Sequence, residues 1–491
     1  MSELRVLWMP LAVAGLAVLV LLVDVLAPPD RTARTGRALG WLVAAGLAGA
    51  LGASFSVDGS GRAALGTYDG GAWTTFVQRL VVGAALLGAL GALDDVAART
   101  PKRQGEYWLL LLASLLGMVI VPGARDLVLL VVAFELMGIP LYVLAAYAKN
   151  DRTVDGAQSR AGEAAFKLYV VGAASTAVTL FGLALLTGMA GTSSLDGLAE
   201  APATPLGTLG MLLVLGGIGY KIGMVPFHMW VPDTYEGAAT PFVAFLSVAP
   251  KVAGLSVLAL LFVSGLGVHR GAWLPPLGLA ALLSMGVGNL LALPQTDLRR
   301  LLGYSGIAQM GYVLLAVAAG DAMGVGMTLF FLAAYVVTNL GAFLVVHAAS
   351  GGGRGHGLDA MHGLFRRAPF LALALLAFLL SLAGIPFAVG FWAKLYVLLA
   401  AWRAGLAGLV VAGIVLAVLG LFYYLRVLQA AYMIDEEGER ATPRASPALG
   451  LAIALCLAAV VGLGLWPAPL VDAASRASVD LVHPSAPVAR R

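Results

Sequence analysis

The sequence predicts an all-α, polytopic membrane protein of about fourteen transmembrane helices. Three observations carry the prediction. Hydrophobic residues make up 60% of the 491 and charged residues only 11%, with a mean hydropathy of +0.93, whereas a soluble domain is about 25% charged. Apolar runs of roughly 20 residues recur from one end of the chain to the other, each long enough to cross a hydrocarbon core about 30 Å thick. The runs are continuous in Leu, Ala, Val and Gly rather than alternating. That pattern excludes barrel strands and leaves helices, which satisfy their backbone internally.

The expected spans lie near 6–27, 39–55, 76–95, 107–122, 127–147, 163–189, 206–226, 239–265, 273–293, 303–319, 323–348, 370–400, 405–430 and 448–466. The first, Val6 to Ala27, is too long for a signal-peptide core and lacks a small-residue cleavage site after it, so it reads as a retained span. The basic residues test the count. One alternate set of loops carries sixteen: Arg31, Arg34, Arg37, Arg99, Lys102, Arg103, Lys149, Arg152, Arg160, Arg299, Arg300, Arg354, Arg366, Arg367, Arg440 and Arg444. The opposite loops carry four: Arg62, Arg125, Arg270 and Arg403. The positive-inside rule puts the first set in the cytoplasm and both termini outside.

The net charge of +4 resides in these short loops, so it is no sign of a nucleic-acid partner. The single cysteine, Cys456, lies in an apolar run and reads as a small buried hydrophobe. The sequence contains no disulfide framework, phosphate loop or metal-spaced Cys/His set.

Lysine usage is the sharpest signal. Of thirty Lys plus Arg residues six are lysines, and four of these, Lys167, Lys221, Lys251 and Lys394, fall within predicted spans. A charge at mid-bilayer costs roughly 2.5–3.5 kcal/mol even on the mildest scale. Arginine cannot release its proton in a protein, whereas a desolvated lysine can fall from about 10.4 to near 5–6. Intramembrane lysines therefore imply proton transfer. Lys167, near the start of its span, could equally snorkel to the interface. Glu135 is the intramembrane acid, a relay partner or half of a static ion pair. Glu106, Glu163, Asp24 and Asp126 sit at span ends, where interfacial solvation suffices.

Prolines stand beside the lysines. Pro226 follows Lys221 by five residues, and Pro386 precedes Lys394 by eight with Gly384 and Gly390 around it. Proline frees a carbonyl, and a membrane tolerates that only where protein or water satisfies it. Spans seven and twelve are thus expected to be broken, a recurring device at mid-membrane ion sites. His228 adjoins the first break and could relay a proton or make a structural hydrogen bond. His347 lies near a span end, and Gln309 in an apolar span could bind a water. Tyr169-Val-Val precedes Lys221 by 52 residues and Tyr335-Val-Val precedes Lys394 by 59. With this echo, spans four to eight and nine to thirteen read as two five-helix units over 107–265 and 266–430, and the odd number of helices per unit makes the repeat inverted, flanked by an N-terminal unit 1–106 and a tail unit 431–491.

The stretch from Gly219 through Lys221, Pro226, His228, Asp233 and Glu236 to Pro241 resembles the signature of antiporter-like membrane subunits of respiratory complex I. Phe245-Leu-Ser-Val-Ala-Pro-Lys251, Leu301-Leu-Gly-Tyr-Ser305 and Leu382-Ala-Gly-Ile-Pro386 fit as well, and the similarity covers nearly all fourteen spans. Within the family the chain resembles the N-type branch, counterpart of mitochondrial NADH dehydrogenase subunit 2. It has a lysine, Lys394, in span twelve where the M type has glutamate, and it lacks the long lateral helix of the L type. Glu106-Tyr-Trp and the run from Phe134 to Tyr147 also read as N-type. Mrp-type cation/proton antiporter subunits share the fold and are the competing reading.

The resemblance implies proton-transfer roles for Glu135 in span five, Lys221 in span seven, Lys251 in span eight and Lys394 in span twelve, with Lys167 of span six and His228 beside them. Gln309 stands where many relatives have histidine. The resemblance also implies a non-redox subunit with no cofactor of its own. NADH, FMN, iron–sulfur clusters and quinone belong to partner subunits, and the M-type, K and J subunits and the lipid bilayer are its expected neighbours.

Overall fold

The computed structural model describes residues 2–26, 33–57, 59–100, 104–150, 157–351, 355–435 and 442–482. Of the loop residues used for orientation, Arg31, Lys102, Arg103, Arg152, Arg354 and Arg440 lie outside the described residues, as do the side chains of Arg34 and Lys149.

After a short helical turn over Ser2–Val6 come α1 (Trp8–Leu26) and α2 (Ala33–Ala53). A short antiparallel hairpin, β1 (Arg62–Ala63) with β2 (Tyr68–Asp69), follows. Then come α3 (Ala72–Arg99), α4 (Gln104–Ile120), α5 (Leu127–Ala145) and α6 (Ala157–Ala190). The seventh span is α7 (Pro205–Ile222), followed past a break by the short α8 (Trp230–Gly237), which lies between spans seven and eight. The eighth is α9 (Thr240–Leu246) and α10 (Ala249–Leu258), continued by a π-helical stretch over 259–265. Next are α11 (Arg270–Ala292), α12 (Leu298–Ala319) and α13 (Ala322–Ala349). The twelfth span is α14 (Pro369–Ala383) and α15 (Val389–Arg403). The chain ends with α16 (Ala407–Tyr432), α17 (Pro447–Leu465) and α18 (Ala468–Val482). Among the described residues, twelve helical stretches are long and apolar enough to cross a membrane, and two shorter apolar helices, Arg37–Ala53 and Pro369–Ala383, occupy the places of expected spans two and twelve.

Local sequence explains where helices start and stop. Asp126 caps α5 by accepting from the amides of Val128 and Leu129 at 2.8 and 3.2 Å. Thr204 caps α7 through Gly207 N at 3.0 Å, with Pro205 in the first turn, where its missing N–H costs nothing. Both broken spans stop at a left-handed glycine, Gly223 (φ 76°) after α7 and Gly384 (φ 85°) after α14. The break in span seven therefore falls three residues before Pro226. Span eight, expected to be continuous, is interrupted at Ser247 and Val248, because Pro250 in the first turn of α10 cannot donate to the preceding turn. Asn339 of α13 supports the interruption by donating to Ser247 Oγ at 2.8 Å.

Burial sorts the helices. The apolar stretches of Thr240–Gly265 and Leu298–Ala319 are fully buried, whereas only 22% of that of Trp8–Leu26 is. Spans eight and ten, with α13, form the centre, and α1, α6 and α16 present apolar faces to lipid. Close approach of α11 and α12 depends on glycine: a Cβ at Gly311 would lie 2.7 Å from Met285 N.

The loops sort as the charge asymmetry requires. Backbone bridges join Tyr68 to Ala124 and Asp126 to Ser194, all in the poorly basic set, and Asp297 to Gly357, both in the basic set. The tail after span fourteen is not featureless. Helix α18 lies across the poorly basic end of the bundle, where Asp480 accepts from Trp73 N at 3.1 Å at the start of α3. Its buried Ala474, Ala477, Ser478 and Leu481 follow helical spacing.

A line of buried charges across broken helices

Glu135 projects from the middle of α5 and Lys221 from the last turn of α7. Their Oε1 and Nζ lie 3.9 Å apart, an ion pair too long to be a direct hydrogen bond. Thr176 of α6 donates to the same Glu135 oxygen at 2.8 Å. Lys221 Nζ also stands over the rings of Phe134 (5.0 Å) and Tyr142 (5.7 Å), and the C-terminal end of α7 favours its charge. Gly138, one turn after Glu135, leaves the space for that ammonium: a Cβ there would meet Lys221 Nζ.

Lys251 lies on α10 with no exposed surface. Its Nζ has no hydrogen-bond acceptor among the described residues and sits between the rings of Tyr235 (5.8 Å) and Tyr335 (5.7 Å). Gly254, one turn on, packs against Lys221, so these two lysines occupy adjoining helices. Short helix α8 links them through its aromatic side chains. Trp230 Nε1 donates to the carbonyl of Tyr220, next to Lys221, at 2.9 Å, and Tyr235 covers Lys251.

Lys394 reaches back from α15 across the second break. Its Nζ donates to the carbonyls of Leu382 (2.7 Å) and Ala383 (3.1 Å), the last of α14. A helix C-terminus leaves such carbonyls unpaired and partly negative, so the broken helix itself supplies the site for the ammonium. Tyr312 lies beneath Nζ at 5.1 Å. Gln309 Nε2 donates to the same Leu382 carbonyl at 2.9 Å and to Tyr424 Oη at 3.2 Å. Tyr424 in turn shares a 2.5 Å hydrogen bond with Ser305.

Lys167 stands apart from these three. It pairs with Glu163 (2.7 Å) and Asp233 (2.8 Å), its side chain 42% exposed. Arg300 binds Asp233 (2.7 Å) and Glu236 (2.9 Å). Together with Arg160 these groups line an open cavity of about 320 Å³ at the basic end of the bundle. Burial alone would push the Asp233 carboxyl up, but the hydrogen bonds and charges of Lys167 and Arg300 outweigh it and hold it below the ordinary range. His228 is half-buried in the linker of span seven, between exposed Phe227 and Met229. His347 lies 3.9 Å from Asp95, which also binds Arg99 at 2.8 Å.

Thr176, Tyr235, Tyr335, Tyr312, Tyr424 and Arg300 surround the charged groups but were not legible as site residues. A tyrosine or threonine in an apolar span has the same appearance whether it faces a lysine or packs in the core.

Two interrupted helices, each holding a lysine at its break, around a third lysine at the centre of an enclosed bundle define an antiporter-like membrane subunit. The family profile described as "NADH:quinone oxidoreductase/Mrp antiporter, TM" matches residues 124–420. NADH-quinone oxidoreductase subunit N from Heliobacterium modesticaldum is 39% identical over 414 residues, covering 83% of this chain and 85% of that one. Subunit N from Moorella thermoacetica is 35% identical over 489 residues, 99% of this chain and 100% of that one. A chain of respiratory complex I from Thermus thermophilus superposes with a TM-score of 0.79 at 31% identity, covering 95% of this chain and 99% of that one. A chain of the Mrp complex from a Dietzia species has a TM-score of 0.83 at 21% identity, with 99% and 98% covered, which shows a shared fold. This chain belongs to the NADH-quinone oxidoreductase subunit N family.

Proposed function

We propose that this subunit carries protons across the membrane along Glu135, Lys221, Lys251 and Lys394, driven by quinone reduction elsewhere in a complex I assembly. The observation that carries the reading is the placement of three buried lysines at or between helix interruptions, each with a different partner: a carboxylate, two aromatic rings, two helix-terminal carbonyls. The Glu135–Lys221 pair is the switch. Joined, it holds the proton on Lys221; separated, it releases that proton toward Lys251 and on to Lys394. The coupling is a difference between two charge states that the redox partners bias. Lys167, with Asp233 and Arg300, sits at the water-facing mouth and is the most exposed of the proposed proton-transfer residues, and His228 is half-buried in the linker after α7.

The chain is a non-redox subunit. NADH, FMN, the iron–sulfur clusters and quinone are held by partner subunits, and the M-type, K and J subunits are its neighbours in the bilayer. Its place is the bacterial cytoplasmic membrane with both termini on the periplasmic side, which the loop asymmetry supports. A second reading, a Mrp-type cation/proton antiporter subunit, rests on the shared fold. Purification from its native membrane separates the two. The complex I reading expects an NADH- or quinone-linked assembly whose vesicles acidify on addition of NADH. Sodium-dependent proton exchange without NADH or quinone would overturn it in favour of the second.

A further inference from the structure

Between Lys251 and Lys394 the relay needs a group that can take up one proton while giving up another. Gln309 is unsuited to this, since its amide nitrogen donates to Leu382 O (2.9 Å) and Tyr424 (3.2 Å) and a carboxamide does not titrate. Tyr424 is committed too, through its 2.5 Å bond to Ser305.

Tyr335 on α13 is different. It is 3% exposed, and its hydroxyl has no hydrogen-bond partner among the described residues. Buried hydroxyls are nearly always partnered, by protein or by water. The Tyr335 ring stands over Lys251 Nζ at 5.7 Å. A Cβ built on Gly306 would lie 2.8 Å from the Tyr335 hydroxyl and 2.9 Å from Lys251 Nζ. The Tyr335 hydroxyl and the Lys251 ammonium thus converge on the same face of Gly306. On its other side Tyr335 lines a cavity together with Gln309, Thr338, Ser381 and Lys394. It is thus common to the surroundings of both lysines.

Resting on the relay reading above, we infer that the Tyr335 hydroxyl is the proton-transfer group between Lys251 and Lys394. The Lys251 ammonium gives a proton, through a bridging water, to a lone pair of the Tyr335 oxygen as that oxygen's own proton passes into the cavity and onto the Lys394 amine. One proton leaves Lys251, one arrives at Lys394, and the tyrosine ends neutral. Rotation about the C–O bond resets it. Gly306 is part of the device, since a side chain there would press on both groups and drive them apart.

The test is Tyr335→Phe in the assembled complex, reconstituted in vesicles and compared with Lys251→Ala. Phenylalanine keeps the ring over Lys251 and removes a hydroxyl that has no partner among the described residues, so assembly and thermal stability are expected to be unchanged. Loss of a positioned proton-transfer group is expected to slow transfer through this subunit by about 10²-fold. Ring-fluorinated tyrosines at position 335 then supply a readout that packing would not move: the transfer rate follows the acidity of the phenol. Full pumping in Tyr335→Phe with loss in Lys251→Ala overturns the role of the hydroxyl alone. Full pumping in both overturns the relay reading itself. A defective Tyr335→Phe with rates independent of fluorination overturns the proposal in favour of a structural role.

Discussion

Gly138→Ala adds one methyl group, changes no titratable residue, and addresses the proposed switch directly. The new Cβ would clash with Lys221 Nζ, the movable end of a flexible side chain. The ammonium must therefore withdraw from Glu135, from which it now stands 3.9 Å. At an effective dielectric of about 20, the attraction at that distance is about 4 kcal/mol. Moving the charge out by about 2 Å removes roughly a third of it, about 1.4 kcal/mol, which is a factor of about ten in the joined-to-separated ratio. The fold should not suffer, because alanine is favoured over glycine within a helix by about 1 kcal/mol. Stability and coupling are thus expected to move in opposite directions. The assay is the number of protons translocated per NADH oxidised in vesicles, beside the thermal midpoint of the purified complex. Fewer protons per NADH with an equal or higher midpoint is the expected result. An unchanged stoichiometry would refute the reasoning, as the pair would then be incidental to transfer.

Two further outcomes concern the ends of the bundle. Asp233→Asn removes the shared carboxylate of Lys167 and Arg300, while Glu163 and Glu236 remain as partners. With these side chains about one-third exposed, the cost at neutral pH is about 1–2 kcal/mol after screening. Because the Asp233 carboxyl is held below its ordinary value, its stabilisation is complete above about pH 4 and is lost as pH falls through the lowered value, so the difference between variant and parent in a pH series of thermal midpoints closes only in acid. Asp480→Ala removes the cap on Trp73 N, costs about 1 kcal/mol, and is expected to lower the thermal midpoint with pumping unaltered.

The sequence was most informative where the physical constraint was severe. Charge is expensive in hydrocarbon, so Glu135, Lys221, Lys251 and Lys394 stood out against an apolar background and the structure finds them buried or half-buried. Pro226 and Pro386 marked the two expected breaks because a freed carbonyl has few solutions in a membrane. The position of the first break was set instead by Gly223, whose left-handed conformation ends α7 before the proline is reached. The interruption before Lys251 was not legible, since Pro250 at the start of a helix and a proline within one look alike until Asn339 is seen bonded to Ser247. Helix α18 was passed over because, at 15 residues with Asp472, Arg476 and Asp480 within it, it is too short and too charged to read as a span. The tyrosines could not be assigned from sequence at all. Tyr335 belongs to the site by virtue of the packing of α13 against Lys251, a tertiary fact with no local trace.

Passage of the proton through three buried lysines is tested by substituting each in turn. Lys221→Ala, Lys251→Ala and Lys394→Arg are to be measured in assembled complex by protons translocated per NADH oxidised. Arginine at 394 retains the charge and can still donate to the Leu382 and Ala383 carbonyls, yet it cannot release a proton. A reduced stoichiometry in all three, with the complex intact, is the predicted result. The parent stoichiometry in all three would contradict the account.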